Sequence, residues 1–393
     1  MLMKEPTSTR MSGFGRRRFV KTLSSIGVSA AAIRSLTPTT LAKLTEKPRQ
    51  EVPRVKAYRH TNHEQVVNEG VRPEREPIHY TIPRDEWAIT ESAHDARRSI
   101  AQLINQQFET DLKVAVETGQ HGEKQIRVFY PRNSQTGFSV NELRDALPDR
   151  TNGVAGKGGM DPITVEDIPV LIDEVGEKQY YYYYDRQYRP VPGGATYENG
   201  SYQHCTIGTP AYDNKKDVQS WVTAGHCFDD NESLVQNTWD TATELQGKVA
   251  RNVFQNRSHG NMLDGCVVTP QNGTDTKYDL AARDSDGYQG VGISGALSKD
   301  YVKDMEGTDE QLNKQGATTA NGYSTVGGVA GTEFYTTHDI QKGDSGGPVY
   351  KVTTGSFSQT ADIAGIISHS HSDDTKKWHT FMTDLERELD VTI

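Results

Sequence analysis

Short apolar segments separated by turn-forming residues dominate the chain after residue 194. SWVTA, GPVYKV and YSTVGGV are five to seven residues long, and clusters of Gly, Asn, Asp and Ser lie between such segments. Short strands with turn signals at close intervals are typical of antiparallel sandwiches and barrels. The ending DLERELDVTI adds one amphipathic helix and a last short strand. The sequence therefore predicts an all-β domain over residues 186–393 with a C-terminal helix.

Three further regions precede this domain. In residues 1–42, GRRRFVK is followed by the weakly apolar TLSSIGVSAAAI, which resembles a twin-arginine export signal. Residues 43–90 are polar, charged and interrupted by prolines, which predicts a linker or a disordered arm. Residues 91–185 contain the helix-like SAHDARRSIAQLINQQFETD and the strand-like QIRVFYP and DIPVLIDEV, which predict a small α+β module. We therefore expect an exported, extracellular protein.

The charge composition limits the classes of molecule that this protein is expected to bind. The 393 residues carry a net charge of -10, and after residue 190 the acidic side chains are nearly twice as numerous as the basic ones. Such a surface argues against nucleic acid and anionic membranes as partners of the mature protein. The three cysteines, Cys205, Cys227 and Cys266, allow one disulfide and one thiol, or no disulfide.

The stretch QKGDSGGPVY places three glycines around Ser345. Glycine serves where φ is positive or where another group approaches the backbone closely. A serine in this setting can present its hydroxyl and leave backbone amides free to stabilise a developing oxyanion, as a nucleophile for acyl transfer needs. A turn between two strands explains the same residues equally well. The stretch alone does not decide between these interpretations.

A candidate general base ends the segment SWVTAGHC. His226 follows an apolar strand directly, so its backbone position is well defined, and Cys227 could anchor it covalently. A lone histidine is more often an ordinary core or surface residue. Its occurrence in the same domain as GDSGG favours the catalytic interpretation, because a serine nucleophile needs a neighbouring base.

Together, TAGHC and GDSGGPV resemble the chymotrypsin/trypsin-like serine proteases, and most closely the bacterial branch with the streptogrisins and α-lytic protease. The segment KQGATTANGYSTVGG and the helix-then-VTI ending are similar to that branch as well. The resemblance covers the chain from about residue 190 onward. It implies two six-stranded antiparallel β-barrels with the active site between them, and a disulfide between Cys205 and Cys227.

The resemblance also implies roles for individual residues. His226 matches the general base and Ser345 the nucleophile, while the backbone amides of Gly343 and Ser345 match the oxyanion hole. The chain order His, Asp, Ser fits this fold. For the aspartate that orients the histidine, Asp264 is the first choice because GCVV follows it as a buried strand.

Two other aspartates, Asp279 and Asp240, remain alternatives to Asp264.

Four residues are candidates for the substrate pocket by the same resemblance. Asp339 occupies the position at which trypsin-like members bind lysine or arginine, which offers specificity for basic residues. Ser368, His369 and Ser370 match the opposite wall, and His369 offers the alternative of glutamyl specificity. No cofactor is implied, and His369 and His371 supply only two of the four ligands that a structural metal site usually needs, so no metal site is predicted.

One departure of the chain from the family pattern lies at position 317. Ala317 stands where the bacterial branch usually has an arginine, so the partner of Asp344 cannot be assigned, although an unpaired buried carboxylate is costly. The predicted α+β module of residues 91–185 lies outside the resemblance, and it is either a removable pro-region or a permanent regulatory domain docked on the protease. The sequence thus predicts an exported serine endopeptidase acting on proteins or peptides. A proteolytically silent or latent binding protein on the same fold is the alternative.

Overall fold

The computed structural model describes residues 51–110, 112–119, 122–132, 137–156, 162–175, 178–179, 191–199, 204–229, 232–236, 244–254, 262–271, 274, 276–284, 287–354, 359–371 and 375–393. The predicted export signal, residues 1–42, and the alternative Asp240 lie outside these ranges. No helix within them combines the length and the apolar character that crossing a membrane requires.

The N-terminal part forms a hairpin and a helix, followed by a four-stranded sheet with two helices. Its elements are β1 Glu51–His60, α1 His63–Glu69, β2 Arg75–Pro83, α2 Arg84–Phe108, β3 Lys113–Thr118, β4 Lys124–Pro131, α3 Val140–Ala146, β5 Arg150–Ala155, β6 Ile163–Val175 and β7 Lys178–Gln179. We call residues 51–83 the N-terminal arm and residues 84–175 the N-terminal module.

The N-terminal module has its own hydrophobic core. Its sheet has the order β3-β4-β6-β5. The long helix α2 buries Ala93, Ala96, Ile100 and Ile104 against this sheet, and their spacing of three and four residues keeps them on one face. Ser139 and Glu142 form a capping box at the start of α3, which satisfies amides that a helix leaves unpaired.

The prediction of a linker or disordered arm over residues 43–90 is wrong for residues 51–90. These residues form β1, α1, β2 and the beginning of α2. The charged side chains that suggested disorder are used in ion pairs, because the Arg54 guanidinium, 5% exposed, lies 3.0 Å from carboxylates of both Glu91 and Asp300. Arg59 likewise pairs with Asp362 at 2.6 Å.

The remaining residues, 191–393, form a second part that we call the β domain. Its elements are β8 Val191–Gly193, β9 Thr196–Asn199, β10 His204–Thr206, β11 Thr209–Asp213, β12 Val218–Thr223, β13 Ser233–Gln236, β14 Glu244–Asn252, β15 Cys266–Pro270, β16 Thr276–Asp284, β17 Gly287–Leu297, α4 Lys299–Met305, β18 Gln311–Gly316, β19 Ala320–Ala330, β20 Glu333–Thr336, β21 Pro348–Thr354, β22 Gln359–His371, β23 Lys377–Phe381, α5 Met382–Leu389 and β24 Val391–Thr392.

The predicted all-β fold class of this domain is confirmed. Six strands close a barrel, because β18 pairs with β19, β19 with β20, β20 with β23, β23 with β22, β22 with β21 and β21 again with β18, all antiparallel. A second, eight-stranded antiparallel sheet has the order β10-β9-β13-β14-β15-β12-β11-β24, and no pairing that would close it between β10 and β24 is present among the described residues. The predicted C-terminal helix is α5, and β24 is the last short strand.

Three strand pairings connect the N-terminal part with the β domain, and the shortest joins β7 antiparallel to β22, with Gln179 opposite Ser370. β1 pairs antiparallel with β17, with Tyr58 opposite Ala296. β3 pairs antiparallel with β19, with Val116 opposite Val329. Through these pairings one sixteen-stranded sheet extends from the N-terminal module into the closed barrel.

Candidate active site

His226 lies in a short 3-10 turn, Gly225–Cys227, directly after β12. The predicted disulfide is present, and it joins Cys227 to Cys205 with their Cα atoms 6.5 Å apart. The Asn252 amide donates to the carbonyl of Gly225 at 2.9 Å. A Cβ at Gly225 would lie 2.4 Å from Asn252 Oδ1 and 2.8 Å from the Gly265 carbonyl, so the turn requires glycine here. The backbone of His226 is therefore held on both sides.

Asp264 precedes β15 and meets His226 through two contacts. Its Oδ1 accepts the backbone N–H of His226 at 3.0 Å, and its Oδ2 lies 2.6 Å from His226 Nδ1. The Ser368 hydroxyl donates to the same Oδ2 at 2.7 Å. Burial acts to raise the pKa of Asp264, but the charge and hydrogen bonds of His226 and the bond from Ser368 lower it below its ordinary value. Asp264 is thus a buried carboxylate that fixes the imidazole ring.

Ser345 lies in the tight glycine-rich turn that precedes β21. Gly346 has φ 88°, and a Cβ there would lie 2.1 Å from Thr223 Oγ1 and 3.0 Å from the Ala224 nitrogen. The turn therefore packs directly against the backbone that leads into His226. Among the described residues the Ser345 hydroxyl makes no hydrogen bond. Loose contacts between nucleophile and base are common before substrate binds.

The carbonyl groups of this turn are held in a way that orients its amides. The Lys342 carbonyl accepts the Thr318 hydroxyl, and the Asp344 carbonyl accepts the Gly347 N–H at 2.8 Å. In a trans peptide the N–H points away from the carbonyl. The amides of Gly343 and Ser345 therefore point away from these acceptors, and neither amide donates a hydrogen bond within the described ranges.

Asp344 has a set of partners that sequence reasoning missed. Its carboxylate accepts the amides of Thr318 at 2.8 Å and Gln341 at 3.0 Å, and Lys314 Nζ lies 3.8 Å from it. Burial lowers the pKa of Lys314, whereas the nearby charges of Asp344 and Asp339 act to raise it. Lys314 thus supplies the cation that Ala317 cannot. The alternation of β18 contained the signal, because Lys314 is two residues from the buried Leu312.

We expect Lys314→Met to destabilise the fold by about 3–5 kcal/mol, because it leaves the buried Asp344 carboxylate without its cation. Urea unfolding followed by circular dichroism measures the change. Lys351→Met is the matched control, since Lys351 pairs with Glu310 at 2.8 Å and the glutamate side chain is half exposed. We expect Lys351→Met to lower the free energy of unfolding by less than about 1 kcal/mol. Equal losses in both variants would contradict the structural role of Lys314.

The predicted pocket residues fall into two groups. Ser368, His369 and Ser370 are buried on β22, and the first of them contacts Asp264. The hydroxyl of Ser370 has no hydrogen-bond partner in the described part of the chain. Asp339 is exposed, and its carbonyl accepts the Thr319 hydroxyl at 3.1 Å. The structure thus brings Ser368 into contact with Asp264 and His369 into contact with Ser368, whereas no contact of Ser370 or Asp339 with the His226–Asp264 pair is present among the described residues.

A buried chain of polar groups inside the closed barrel was not predicted. The Thr336 hydroxyl lies 2.7 Å from His338 Nδ1 and 2.7 Å from His379 Nε2. His338 Nε2 lies 3.0 Å from the Leu312 carbonyl. Burial lowers the pKa of His338 to about 4 and lowers the pKa of His379 well below its ordinary value. Both histidines are therefore neutral at pH 7.

We expect stability to fall as the pH is lowered from about 6.5 toward 4. In that range an unfolded histidine, with a pKa of about 6.5, binds a proton that folded His338 does not bind. Each such histidine lowers the free energy of unfolding by about 1.4 kcal/mol per pH unit of acidification. Urea unfolding at pH 7, 6 and 5 measures the slope, which should be shallower in His338→Gln. An unchanged slope in that variant would contradict the assignment.

The alternatives considered for the orienting aspartate are placed elsewhere or lie outside the described ranges. Asp279 pairs with Lys277 at 2.8 Å on β16, and Asp240 is not described. The third cysteine, Cys266, is buried with its thiol 3.7 Å from the Ala224 carbonyl. Burial raises the pKa of this thiol well above its ordinary value, so it is an unreactive part of the core.

Comparisons with known proteins find similarity at the level of solved structures. No protein-family model matches the chain, and no curated protein matches it. Protease A of Thermobifida fusca is similar with 21% identity and a TM-score of 0.37, over 51% of this chain and 97% of that one. The Nocardiopsis protease shows 20% identity and a TM-score of 0.37, over 51% and 97% of the two chains.

A glutamic-acid-specific serine protease, described as using a histidine triad in substrate binding, shows 21% identity and a TM-score of 0.38, over 52% of this chain and 100% of that one. These similar structures are described as proteases, the class that the sequence motifs resemble, and about half of the present chain lies outside each match.

Proposed function

We propose that the chain is an exported serine endopeptidase that hydrolyses peptide bonds through an acyl-enzyme on Ser345. The observation that carries the proposal is the His226–Asp264 pair, whose 2.6 Å contact fixes the imidazole beside the glycine-rich turn of Ser345. A serine nucleophile, a histidine base and a carboxylate that orients the base are the groups that this reaction requires.

The reaction begins with attack of the Ser345 hydroxyl on the scissile carbonyl while His226 Nε2 takes the hydroxyl proton. The Asp264 carboxylate accepts the Nδ1–H of His226, so it holds the productive tautomer and stabilises the imidazolium that forms. His226 then protonates the leaving amine. Water attacks the acyl-enzyme in the second half, again with His226 as the base, and free Ser345 is restored.

Charge on the carbonyl oxygen is stabilised by the amides of Gly343 and Ser345. Their orientation is preset by the bonds that hold the Lys342 and Asp344 carbonyls, so no reorganisation is needed as the oxyanion develops. Asp344 anchors this turn through Lys314 and its amide donors. In the proposed enzyme these groups are therefore structural supports of the oxyanion hole.

Specificity for basic residues is the first proposal for the substrate class, with Asp339 as one acidic contact. Cleavage after glutamate is the alternative, which the buried His338–Thr336–His379 chain and His369 favour. A library of peptides with Lys, Arg or Glu before the cleaved bond distinguishes the two, because a basic side chain is recognised by an acidic contact such as Asp339, whereas a glutamate side chain is recognised by hydrogen-bond donors such as histidine N–H groups.

The N-terminal module is proposed to dock on the protease and to keep it latent. Its Lys113 reaches His369, the neighbour of Ser368, with 3.1 Å between Nζ and Nε2. A proteolytically silent binding protein is the second candidate, and the absence of a hydrogen bond from the Ser345 hydroxyl in the described residues favours it.

Reaction with a fluorophosphonate probe tests the proposal. We expect the full chain to be labelled, at least after limited proteolysis of the N-terminal module, and Ser345→Ala and His226→Ala to remain unlabelled. A signal peptide assay, in which residues 1–42 are fused to a reporter and Arg16 and Arg17 are replaced by lysine, tests export separately. Absence of labelling under all of these conditions would leave the silent binding protein.

A further inference from the structure

The side chain of Lys113 occupies a buried site with three different walls. Its Nζ lies 2.9 Å from Glu333 Oε2, 3.1 Å from His369 Nε2 and 3.8 Å from the centre of the Trp378 ring. The lysine side chain is 5% exposed and the glutamate side chain is fully buried. A carboxylate, an imidazole nitrogen and an aromatic face are all favourable neighbours of an ammonium group. We call Glu333, His369 and Trp378 the ammonium cage.

The cage and the lysine belong to different parts of the chain. Glu333 lies on β20, His369 on β22 and Trp378 on β23, which are neighbouring strands of the closed barrel. Lys113 begins β3 of the N-terminal module. The β domain thus provides a complete binding site, and the N-terminal module provides what fills it.

The cage is connected to the His226–Asp264 pair by short hydrogen bonds. His369 Nδ1 lies 3.0 Å from the Ser368 hydroxyl, which donates to Asp264 at 2.7 Å. From the other side, Glu333 Oε2 accepts the backbone N–H of Met262 at 3.1 Å, two residues before Asp264. A cation in the cage is therefore connected to Asp264 through His369 and Ser368.

The negative charge of Glu333 favours a bound cation in the ammonium cage. Glu333 is buried, and a buried carboxylate that loses its cation is strongly unfavourable. When Lys113 is withdrawn, another cation is favoured in its place. Lysine fits better than arginine, because three donors on a compact ammonium match the three walls, whereas guanidinium is a planar fork.

We propose that the ammonium cage is a subsite for a lysine side chain of the peptide substrate, and that Lys113 occupies this subsite in the intact chain. The proposal rests on the protease function proposed above. It assigns substrate recognition to Glu333, His369 and Trp378. It also makes Lys113 a competitor of the substrate.

Ligand binding to the full chain tests the subsite without turnover. The variant Ser345→Ala with Lys113→Ala is titrated calorimetrically with Nα-acetyl-lysine methylamide and with the uncharged Nα-acetyl-norleucine methylamide. We expect the lysine compound to bind about tenfold or more tightly than the norleucine compound. Adding Glu333→Gln should remove this difference. Equal binding of the two compounds, or a difference that survives Glu333→Gln, overturns the proposal.

Lys124→Ala is the matched control, because it also removes a lysine of the N-terminal module that pairs with a glutamate of the β domain. The Lys124 Nζ lies 3.1 Å from Glu306 Oε1 in another buried lysine–glutamate pair. Lys124→Ala leaves Lys113 in the cage, so the lysine compound should gain no binding. Equal gains in the Lys113 and Lys124 variants would show general loosening and overturn the proposal.

Two further measurements separate failure of the subsite from failure of the protease function and from failure of the variant to fold. Fluorophosphonate labelling of Lys113→Ala with no lysine preference overturns the subsite and retains the protease, whereas lysine binding without labelling overturns the protease and the lysine's role as substrate. If Lys113→Ala does not fold, it is refolded with n-butylammonium or with n-butanol. Recovery with n-butylammonium alone supports the cage, and equal results with the two additives overturn it.

Discussion

Exchange of Ser345 for alanine is expected to lower kcat by about a millionfold, with KM little changed. In the proposed mechanism the acyl-enzyme cannot form without the hydroxyl, and the residual rate comes only from the oxyanion hole and substrate binding. The double variant with His226→Ala should be no slower than Ser345→Ala, because the two groups act in one step. Hydrolysis of a fluorogenic peptide selected from the library measures both constants.

Ser220→Ala is the matched control for this prediction. Ser220 is a fully buried serine of β12, so the same atom is removed from a buried position elsewhere in the domain. Its kcat should stay within about twofold of wild type. A comparable loss of activity in both serine variants would indicate a folding defect, and retention of activity in Ser345→Ala would assign the nucleophile to another residue.

Exchange of Asp264 for asparagine is expected to lower kcat by about ten-thousandfold while the fold is retained. Asparagine keeps the shape of the side chain, but it neither stabilises the imidazolium nor holds the tautomer with a proton on Nδ1. The pH dependence of kcat and thermal unfolding of the variant are measured together. Normal unfolding with the kinetic loss would assign the effect to chemistry.

Asp279→Asn is the control for the orienting aspartate. The substitution is identical, but Asp279 pairs with Lys277 on β16. We expect kcat of this variant within about twofold of wild type. A loss of activity in Asp279→Asn with an active Asp264→Asn would reverse the assignment.

The sequence allowed prediction of those candidate site residues that are recognisable from their immediate neighbours in the chain. His226 follows a buried strand and Ser345 lies among glycines, and both patterns are readable within ten residues of chain. Lys314 was missed because an inward-pointing lysine is interpretable only when its carboxylate is known, and Asp344 is thirty residues away.

Residues 51–90 were misjudged for the same reason. Arg54 and Arg59 find their partners Asp300 and Asp362 more than two hundred residues later. Composition cannot distinguish a solvated charge from one buried in such a distant pair. The partners of Lys113 were hidden in the same way, since Glu333 and Trp378 come from other strands.

The sixteen-stranded sheet would hold the two parts of the protein together even after the backbone between them is cut. A single backbone cut between Gln179 and Val191 would leave the β1–β17, β3–β19 and β7–β22 hydrogen bonds in place. The two fragments would remain together as a nicked complex and would elute together under native conditions. Complete separation exposes unpaired amide and carbonyl groups on β17 and β19, and such edges promote pairing with other chains. Release of the N-terminal part from this protein would therefore require displacement of the paired strands, by further digestion or by a new binding partner, in addition to the cut.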